Sequence, residues 1–359
     1  MANVYKSIGD SSQTKTDLYE SISISSSVTL GYSNNNWKTY SHGMFTTVYD
    51  YPYLSSSANQ LFDVTIANRD GSSYEPSSSA QFATQKQNLY VQYEQMLFGY
   101  NASGSLIPIN ASGSLTPASG DYINNPIFLN FSRLLTKDEI KKGTFTITVD
   151  RTGSYTSVLT SATPRLTLSD YAATGSNPTF YTNSPAGEYA ILYSTPPTLA
   201  TPLPGLEKGL LFYQAGVAVL DGNKLFDASS DGGTMNFTSA SSGYRTYRES
   251  IVSSSIDQLA SGSIRRISSV SFNNTTELNS TIYFCRVNNT DFNYSANPSY
   301  LSSSQIIVKN NNANNDPASY ITTIGLYSPD NELLAVAKLS QPVKKTPAEE
   351  VTFRVRLDY

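Results

Sequence analysis

The sequence has very few of the side chains on which most enzymes depend. Its 359 residues include one cysteine, Cys285, and one histidine, His42. A single cysteine excludes an internal disulfide, and a single histidine excludes any site that needs two imidazoles. Neither glycine-rich phosphate-binding motif nor the G-x-S-x-G nucleophile motif occurs. The sequence therefore predicts no catalytic, cofactor-binding or metal-binding residues, and no enzymatic activity.

Charge and long apolar runs are also scarce. Charged residues make up 14% of the chain, and 24 basic against 28 acidic residues give a net charge of -4. The basic residues form no stripe, so we expect no nucleic-acid partner. The longest apolar run, Gly209–Leu220, falls short of the roughly 20 residues that cross a bilayer, so we expect no membrane partner. The first twelve residues carry no basic region followed by an apolar one, so we expect no secretory signal there.

Short β-branched and aromatic runs, separated by turn residues, fill most of the chain. This spacing is typical of a sandwich or barrel. We therefore predict a mainly β fold, built of antiparallel β-sandwich modules with a few short helical insertions. Strands are predicted at Ser21–Leu30, Leu61–Ile66, Thr144–Val149, Tyr189–Tyr193, Gly209–Leu220 (as a pair), Ser280–Cys285, Gln305–Val308, Tyr320–Leu326, Leu333–Leu339 and Val351–Leu357.

Three segments show helical signals. From Gln81 to Phe98 the apolar residues recur at intervals near 3.6, and Gly99 follows as a helix terminator. Thr136 to Glu139 has the sequence of a capping box, so a helix of one to two turns is predicted at Thr136–Lys142. The segment Glu249–Leu259 is a weaker candidate, because its serines favour other conformations.

Domain boundaries are soft, since no long low-complexity linker interrupts the chain. We divide it into an N-terminal β region at 1–120 with one helix, a middle β region at 121–270 with a short helix, and a C-terminal β-module at 271–359. The motif NASGSL occurs twice, from Asn101 and from Asn110. Its composition predicts an exposed loop at 101–120, and we expect this loop and residues 1–19 to be ordered by another chain.

The candidate functional residues each have a simpler structural interpretation. His42 could form a dyad with Asp50 and a serine, but a surface or structural histidine is the preferred interpretation. Cys285 is expected to be a buried, unreactive residue of a strand. Tight turns and solvated acidic pairs account better than calcium loops or glycosidase carboxylates for the remaining candidates. These are Asp138 with Glu139, Glu349 with Glu350, Asp227–Gly233 and Ser328–Glu332.

The clearest local prediction is a hairpin near the C-terminus. Ser328 to Asn331 (SPDN) has turn chemistry, with Pro329 suited to the second position of a type I turn. The runs Tyr320–Leu326 and Leu333–Leu339 on either side are predicted to pair antiparallel. Within this hairpin we expect Ile321, Leu334, Val336 and Leu339 to be buried.

The aromatic content is the one excess in the composition. The chain has 26 tyrosines and 15 phenylalanines but one tryptophan, Trp37. Tyrosine is enriched at interfaces because it offers rigid, amphipathic contact area. Three interpretations stay open: a tyrosine-rich sheet exterior, a subunit surrounded by other subunits, and a sugar-binding protein. The last is the least favoured, because sugar platforms usually need more tryptophan.

The C-terminal third resembles virion structural proteins of tailed bacteriophages. The run YITTIGLYSPDNELLAVAKL from Tyr320 and the ending KKTPAEEVTFRVRLDY are similar to the ends of their fibre-connecting and baseplate proteins. The segments Tyr49–Ile66, Ile127–Thr148 and Ser271–Leu301 are similar to structural proteins of marine and cyanobacterial contractile-tailed phages. At the level of the fold, the chain also resembles the baseplate wedge protein of T4-like phages.

This resemblance implies a non-enzymatic structural subunit of a virion that assembles in the host cytoplasm. We expect it in the tail baseplate or at a fibre-attachment position, with a neck or collar position as the alternative. Its expected partners are other virion proteins and copies of itself. A host-binding adhesin with a sugar site is the alternative from another class, and a polysaccharide hydrolase ranks third.

Overall fold

The computed structural model describes most of the chain. The described residues are 6–9, 11–24, 36–71, 81–116, 121–135, 139–150, 165–174, 178–194, 207–226, 238–240, 243–245, 247–295, 301–302, 305–306 and 318–358. The fold is mainly β, with large antiparallel sheets and a few short helices, which confirms the predicted fold class.

Strands outnumber helices along the whole of the described chain. The strands are β1 (Ser11–Ile24), β2 (Trp37–Thr39), β3 (Thr46–Tyr49), β4 (Gln60–Ile66), β5 (Pro126–Asn130), β6 (Glu139–Ile140), β7 (Thr146–Asp150), β8 (Arg165–Ser169), β9 (Tyr181–Ser184), β10 (Gly187–Ser194), β11 (Glu207–Phe212), β12 (Val217–Asp221), β13 (Thr238–Ala240), β14 (Gly243–Arg245), β15 (Ile267–Val287), β16 (Leu301–Ser302), β17 (Gln305–Ile306), β18 (Ser319–Tyr327), β19 (Leu333–Lys345) and β20 (Val351–Asp358). The α-helices are α1 (Gln81–Leu97), α2 (Gly222–Phe226), α3 (Tyr247–Ser253) and α4 (Ile256–Ile264), and Tyr171–Ala173 forms a single 3-10 turn.

The chain divides into two compact units. The small unit contains Met1–Asp17 and Glu277–Tyr359, and the large unit contains Leu18–Thr276. The division of the sequence into regions 1–120, 121–270 and 271–359 stays a prediction.

One antiparallel sheet organises the large unit. Its strands lie side by side in the order β15, β7, β8, β10, β11, β12, β5, β4, β3, β2, with β6 paired to β15 and β9 paired to β10. The strands predicted at Leu61–Ile66, Tyr189–Tyr193 and Gly209–Leu220 are confirmed within two residues. The last of these is the predicted strand pair, β11 and β12, joined by a turn in which Gly216 has a φ of 63°. Such a left-handed conformation favours glycine because it has no Cβ.

Both faces of the central strands are buried. On β11, Leu211 contributes to one apolar cluster, whereas Leu210 and Phe212 contribute to another. Side chains alternate between the two faces of a strand, so the clusters lie on opposite faces of the sheet. The first cluster includes apolar residues of α3 and α4, and the second includes those of α1. Because both faces are buried, the sequence of Gly209–Leu220 is mostly apolar and does not alternate between apolar and polar residues.

The helix predictions have different outcomes. The helix at Gln81–Phe98 is confirmed as α1. The weaker candidate at Glu249–Leu259 is helical but divided into α3 and α4, because Ser255 caps the start of α4 and forms a capping box with Gln258. The helix predicted at Thr136–Lys142 is wrong. Residues 136–138 lie outside the described residues, and Glu139–Ile140 is a strand that pairs with Asn274 and Thr275 of β15, which buries Ile140.

The two NASGSL motifs adopt similar turns in different surroundings. In each motif the Asn side-chain oxygen accepts a hydrogen bond from the backbone N–H four residues later, at 2.9 Å. Asn101 is exposed, whereas Asn110 is fully buried between Ile109 and Ala111 of the second apolar cluster. The prediction of an exposed loop at 101–120 is therefore wrong for the second motif, because its neighbours are apolar enough to hold it against the sheet.

In the small unit, the last strand and the C-terminal part of β15 form an antiparallel ladder from Ser280 paired with Asp358 to Val287 paired with Val351. The strands β18 and β19 pair with each other as predicted. Asn331 donates its backbone N–H to the carbonyl of Ser328 at 3.0 Å, which closes the predicted turn.

The structure describes two of the predicted strands only in part. The predicted strand at Ser21–Leu30 is described only to Ile24 within β1, and the one at Gln305–Val308 only to Ile306.

The predicted burial within the hairpin is wrong. Leu334 is 67% exposed and Val336 is 52% exposed, while Ile321 and Leu339 are half-buried. Apolar runs on both sides of a turn predicted the hairpin, but an apolar side chain of a hairpin is buried only where a second layer covers it. Among the described residues, Leu326 is the one large apolar side chain of the hairpin that is buried.

Candidate functional site

In the structure, the candidate dyad residues His42 and Asp50 have different hydrogen-bond partners. His42 is exposed, and its ring stacks on Tyr40 with centroids 5.2 Å apart. Its Nδ1 accepts a hydrogen bond from the backbone N–H of Met44 at 3.0 Å. The carboxylate of Asp50 instead accepts from the backbone and side chain of Asn59, at 2.6 and 2.8 Å. These contacts fit a surface histidine and a carboxylate that holds a loop.

The other candidates also occupy structural positions. Cys285 is half-buried rather than fully buried, and burial raises the pKa of its thiol. Glu349 and Glu350 are exposed, Glu139 is half-buried in β6, and Asp138 lies outside the described residues. Ser328–Glu332 forms the hairpin turn, and Asp227–Gly233 lies outside the described residues.

Asp170 and Lys86 are titratable groups that are buried inside the large unit, and both have hydrogen-bond partners within the fold. Asp170 accepts from the backbone N–H groups of Gly143 and Phe145 and from the Tyr213 hydroxyl, at 2.7, 3.0 and 2.8 Å. Burial raises the pKa of Asp170, and these hydrogen bonds oppose the rise. Lys86 of α1 donates to the carbonyls of Ile251 and Ser254, at 2.5 and 2.6 Å. Burial lowers the pKa of Lys86 to about 8. These groups join elements of the fold to one another.

A small cleft opens beside α1 in the large unit, and we call it the α1 cleft. It has a volume of about 230 Å³ and is lined by Met44, Phe45, Asp63, Thr65, Leu89, Tyr93 and Asn130. Asp63 and Asn130 lie directly opposite each other on β4 and β5. Tyr93 reaches the same face from α1 and stacks on Phe128 with ring centroids 3.7 Å apart.

The polar groups that line the α1 cleft are one carboxylate and several uncharged hydrogen-bonding groups. One oxygen of Asp63 accepts from the Thr47 hydroxyl at 2.6 Å, and the other lies 3.7 Å from Nε of Arg133. Burial and the nearby Asp63 charge raise the pKa of Tyr93 to about 12, so its hydroxyl keeps its proton near neutral pH. The cleft thus combines a carboxylate, an amide and a hydroxyl with apolar side chains, and such a set can hydrogen-bond a polyol while packing against its carbon skeleton.

The residues of the α1 cleft were not predicted from the sequence. Asp63 is the one charged residue of LFDVTI and Asn130 is the one polar residue of IFLNF, and these two positions are the signal that could have indicated them. Tyr93 belongs to the apolar face of α1, so its hydroxyl gave no separate signal.

The second candidate site is the exposed part of the C-terminal hairpin, which we call the hairpin surface. It consists of large apolar side chains that are between 43% and 67% exposed, namely Tyr320, Tyr327, Leu333, Leu334 and Val336. Tyr327 and Leu333 lie over Gly325, where a Cβ would come within 2.9 Å of the tyrosine ring and 3.3 Å of the leucine. Single exposed apolar residues are ordinary, but five on one hairpin are an unusual concentration of exposed apolar side chains.

Comparisons with known proteins give no family for this chain. No protein-family model, curated protein or solved structure matches it. In the part of the chain that the structure describes, no helix is both long and apolar enough to span a membrane. The same residues contain no cluster of three or more His, Cys, Asp or Glu side chains that could hold a metal ion.

Proposed function

We propose that the chain is a non-enzymatic structural subunit of a tailed-phage virion, located in the tail baseplate or at a fibre-attachment position. The observation that carries this proposal is the hairpin surface, because a subunit built into an assembly needs apolar area for its neighbours to cover. The resemblance of the same residues to the ends of phage tail proteins supports the proposal. A neck or collar position is the alternative within this class.

The buried titratable groups support a non-enzymatic role. A general acid or base must reach a substrate, whereas Asp170 and Lys86 are directed at backbone groups of the fold. The partners of this subunit are other virion proteins and copies of itself.

Complementation tests the proposal. A phage with an amber codon in this gene is grown on cells that supply either the unchanged chain or Leu334→Asp with Val336→Asp. Both residues are exposed, so the variant is expected to fold, and two new charges should prevent the hairpin surface from being covered. We expect the unchanged chain in purified tails and the variant only in the unassembled fraction, as measured by mass spectrometry.

A matched control separates this effect from a general effect of charge. Thr352→Asp adds a charge at an exposed position of β20, outside the hairpin, and should still be incorporated. The proposal is overturned if the unchanged chain is absent from purified particles. Equal incorporation of the unchanged chain, the double variant and Thr352→Asp would show that assembly does not depend on the hairpin surface.

The α1 cleft favours a second candidate function, a host-binding adhesin that recognises a sugar. The isolated protein would then bind hexoses on a glycan array, and Asp63→Ala would reduce binding at least about tenfold, the loss expected for one charge-assisted hydrogen bond. Asp50→Ala is the control, because Asp50 is a carboxylate outside the cleft. An unchanged chain that binds no glycan on the array would reject this candidate.

A further inference from the structure

The two long edges of the C-terminal hairpin differ in how well they are protected against pairing with a further strand. In the part of the chain that the structure describes, β18 and β19 form a two-stranded sheet with no third strand. Each strand therefore has one edge whose backbone groups are not used in that sheet. Such an edge is a template for another strand unless charged residues or proline block it.

The residues of β19 block pairing at its edge, whereas β18 carries no residue of a kind that blocks pairing. The strand β19 contains Lys338 and Lys344, and Pro342 lacks the N–H that a ladder requires. The strand β18 has the sequence SYITTIGLY, with no charged residue and no proline. Pairing at the β18 edge therefore meets neither repulsion nor a missing donor.

The sequence of β18 is compatible with pairing to its own copy. In an antiparallel pair related by a twofold axis, full overlap of Ser319–Tyr327 places Thr323 opposite its own copy. The same register places Tyr320 opposite Leu326, and Ile321 opposite Gly325. Threonine pairs are favourable across antiparallel strands, and the other two pairs bring no charges together.

We propose that two copies of this chain associate through their β18 strands, which joins two hairpins into a four-stranded antiparallel sheet across a twofold axis. An isolated two-stranded hairpin is marginally stable in water, and two further strands make such a sheet stable. Like-charged strands would repel each other on self-pairing, but β18 has no charge to repel its copy. This inference rests on the proposed function as an assembly subunit, and it specifies the first partner of the hairpin.

Adjacent threonines provide a matched test of the pairing register. Thr322 and Thr323 are both exposed. Residues directly opposite have Cα atoms about 4.5–5.5 Å apart, within the range that a disulfide bridges. Thr323→Cys, in a Cys285→Ser background, should therefore form a covalent dimer under mild oxidation. Thr322→Cys lies diagonal to its own copy at roughly 7–8 Å and should cross-link much less.

Sedimentation of the isolated full-length protein tests the association itself. We expect the unchanged chain to be a dimer, and Thr323→Lys to be a monomer because a lysine at the edge blocks pairing. Ser340→Lys adds the same charge to an exposed position of β19 and should remain a dimer. Circular dichroism of each variant verifies that the fold is retained.

The outcomes distinguish this inference from the proposed function. A chain that is monomeric at roughly 100 µM, a concentration that saturates any micromolar dimer, overturns the self-pairing. Equal cross-linking of the two cysteine variants also overturns it. If such a monomer is still found in purified tails, the proposed function stands and the self-pairing alone is overturned. A dimer that is absent from particles overturns the proposed function alone.

Discussion

The repeated NASGSL motif contains its own control for the energetic effect of burial. Asn110 makes four side-chain hydrogen bonds: its oxygen accepts from the Ser112 hydroxyl and the Ser114 N–H, and its amide donates to the carbonyls of Pro108 and Ser114. Asn101 accepts three similar hydrogen bonds from Ser103 and Ser105, but it is exposed. Water can replace the partner of an exposed group, whereas a buried group stays unsatisfied.

The two alanine substitutions should therefore differ several-fold in their effect. A hydrogen bond contributes about 0.5–1.5 kcal/mol, and a buried donor left without a partner costs about 1–3 kcal/mol. For Asn110→Ala we expect a loss of about 2–4 kcal/mol from a free energy of unfolding of about 5–15 kcal/mol. For Asn101→Ala we expect a loss of about 0.5 kcal/mol or less.

Urea denaturation of the full chain, followed by circular dichroism, measures both values. The midpoint should fall strongly for Asn110→Ala and hardly at all for Asn101→Ala, with similar slopes for the two variants. Equal midpoint shifts would refute the reasoning, because the local sequence of the motif would then determine its stability rather than its burial.

Three further predictions concern buried groups and the hairpin. Asp170→Ala should lower the free energy of unfolding by about 3 kcal/mol or more, since it leaves the Tyr213 hydroxyl and two backbone donors buried without partners; retention of the midpoint in urea would contradict this. Burial raises the pKa of Glu94 from its ordinary value of 4.5 to about 7. The stability that protonated Glu94 contributes is therefore complete below pH 4.5 and is lost as the pH rises through 7. Glu94→Gln should therefore raise the melting temperature relative to the unchanged chain more at pH 8 than at pH 5, and an equal effect at both would count against the assignment. Leu334→Asp should change the melting temperature of the isolated chain little, because Leu334 is exposed. Leu211→Asp buries a charge in the core and should unfold the large unit. Similar shifts in melting temperature for the two variants would contradict the difference in burial between Leu334 and Leu211.

The elements that the sequence predicted are those with a strong local signal. The run Gly209–Leu220 is apolar and β-branched with a turn at its centre, and α1 has both a helical period and a terminating glycine. The capping box at Thr136 is also a local signal, but Ile140 gains more by entering the core beside β15. That pairing joins residues more than 130 positions apart, and no local pattern shows it.

The candidate sites were predicted less well, because both depend on how elements pack. Turn chemistry at Ser328–Asn331 indicated the hairpin, but it could not show that no second layer covers Leu334. The α1 cleft depends on the alignment of β4 with β5 and on where α1 lies across them. Asp63, Tyr93 and Asn130 therefore become neighbours only in the folded chain.

The most direct test of the central proposal is a cryo-electron microscopy map of the phage tail to which the proposal assigns this chain. We expect density in the baseplate or at a fibre-attachment position into which the chain fits, with the β18 and β19 hairpin covered by a neighbouring subunit. A map in which other chains account for all of the tail density, or in which this hairpin faces solvent, would contradict the proposal.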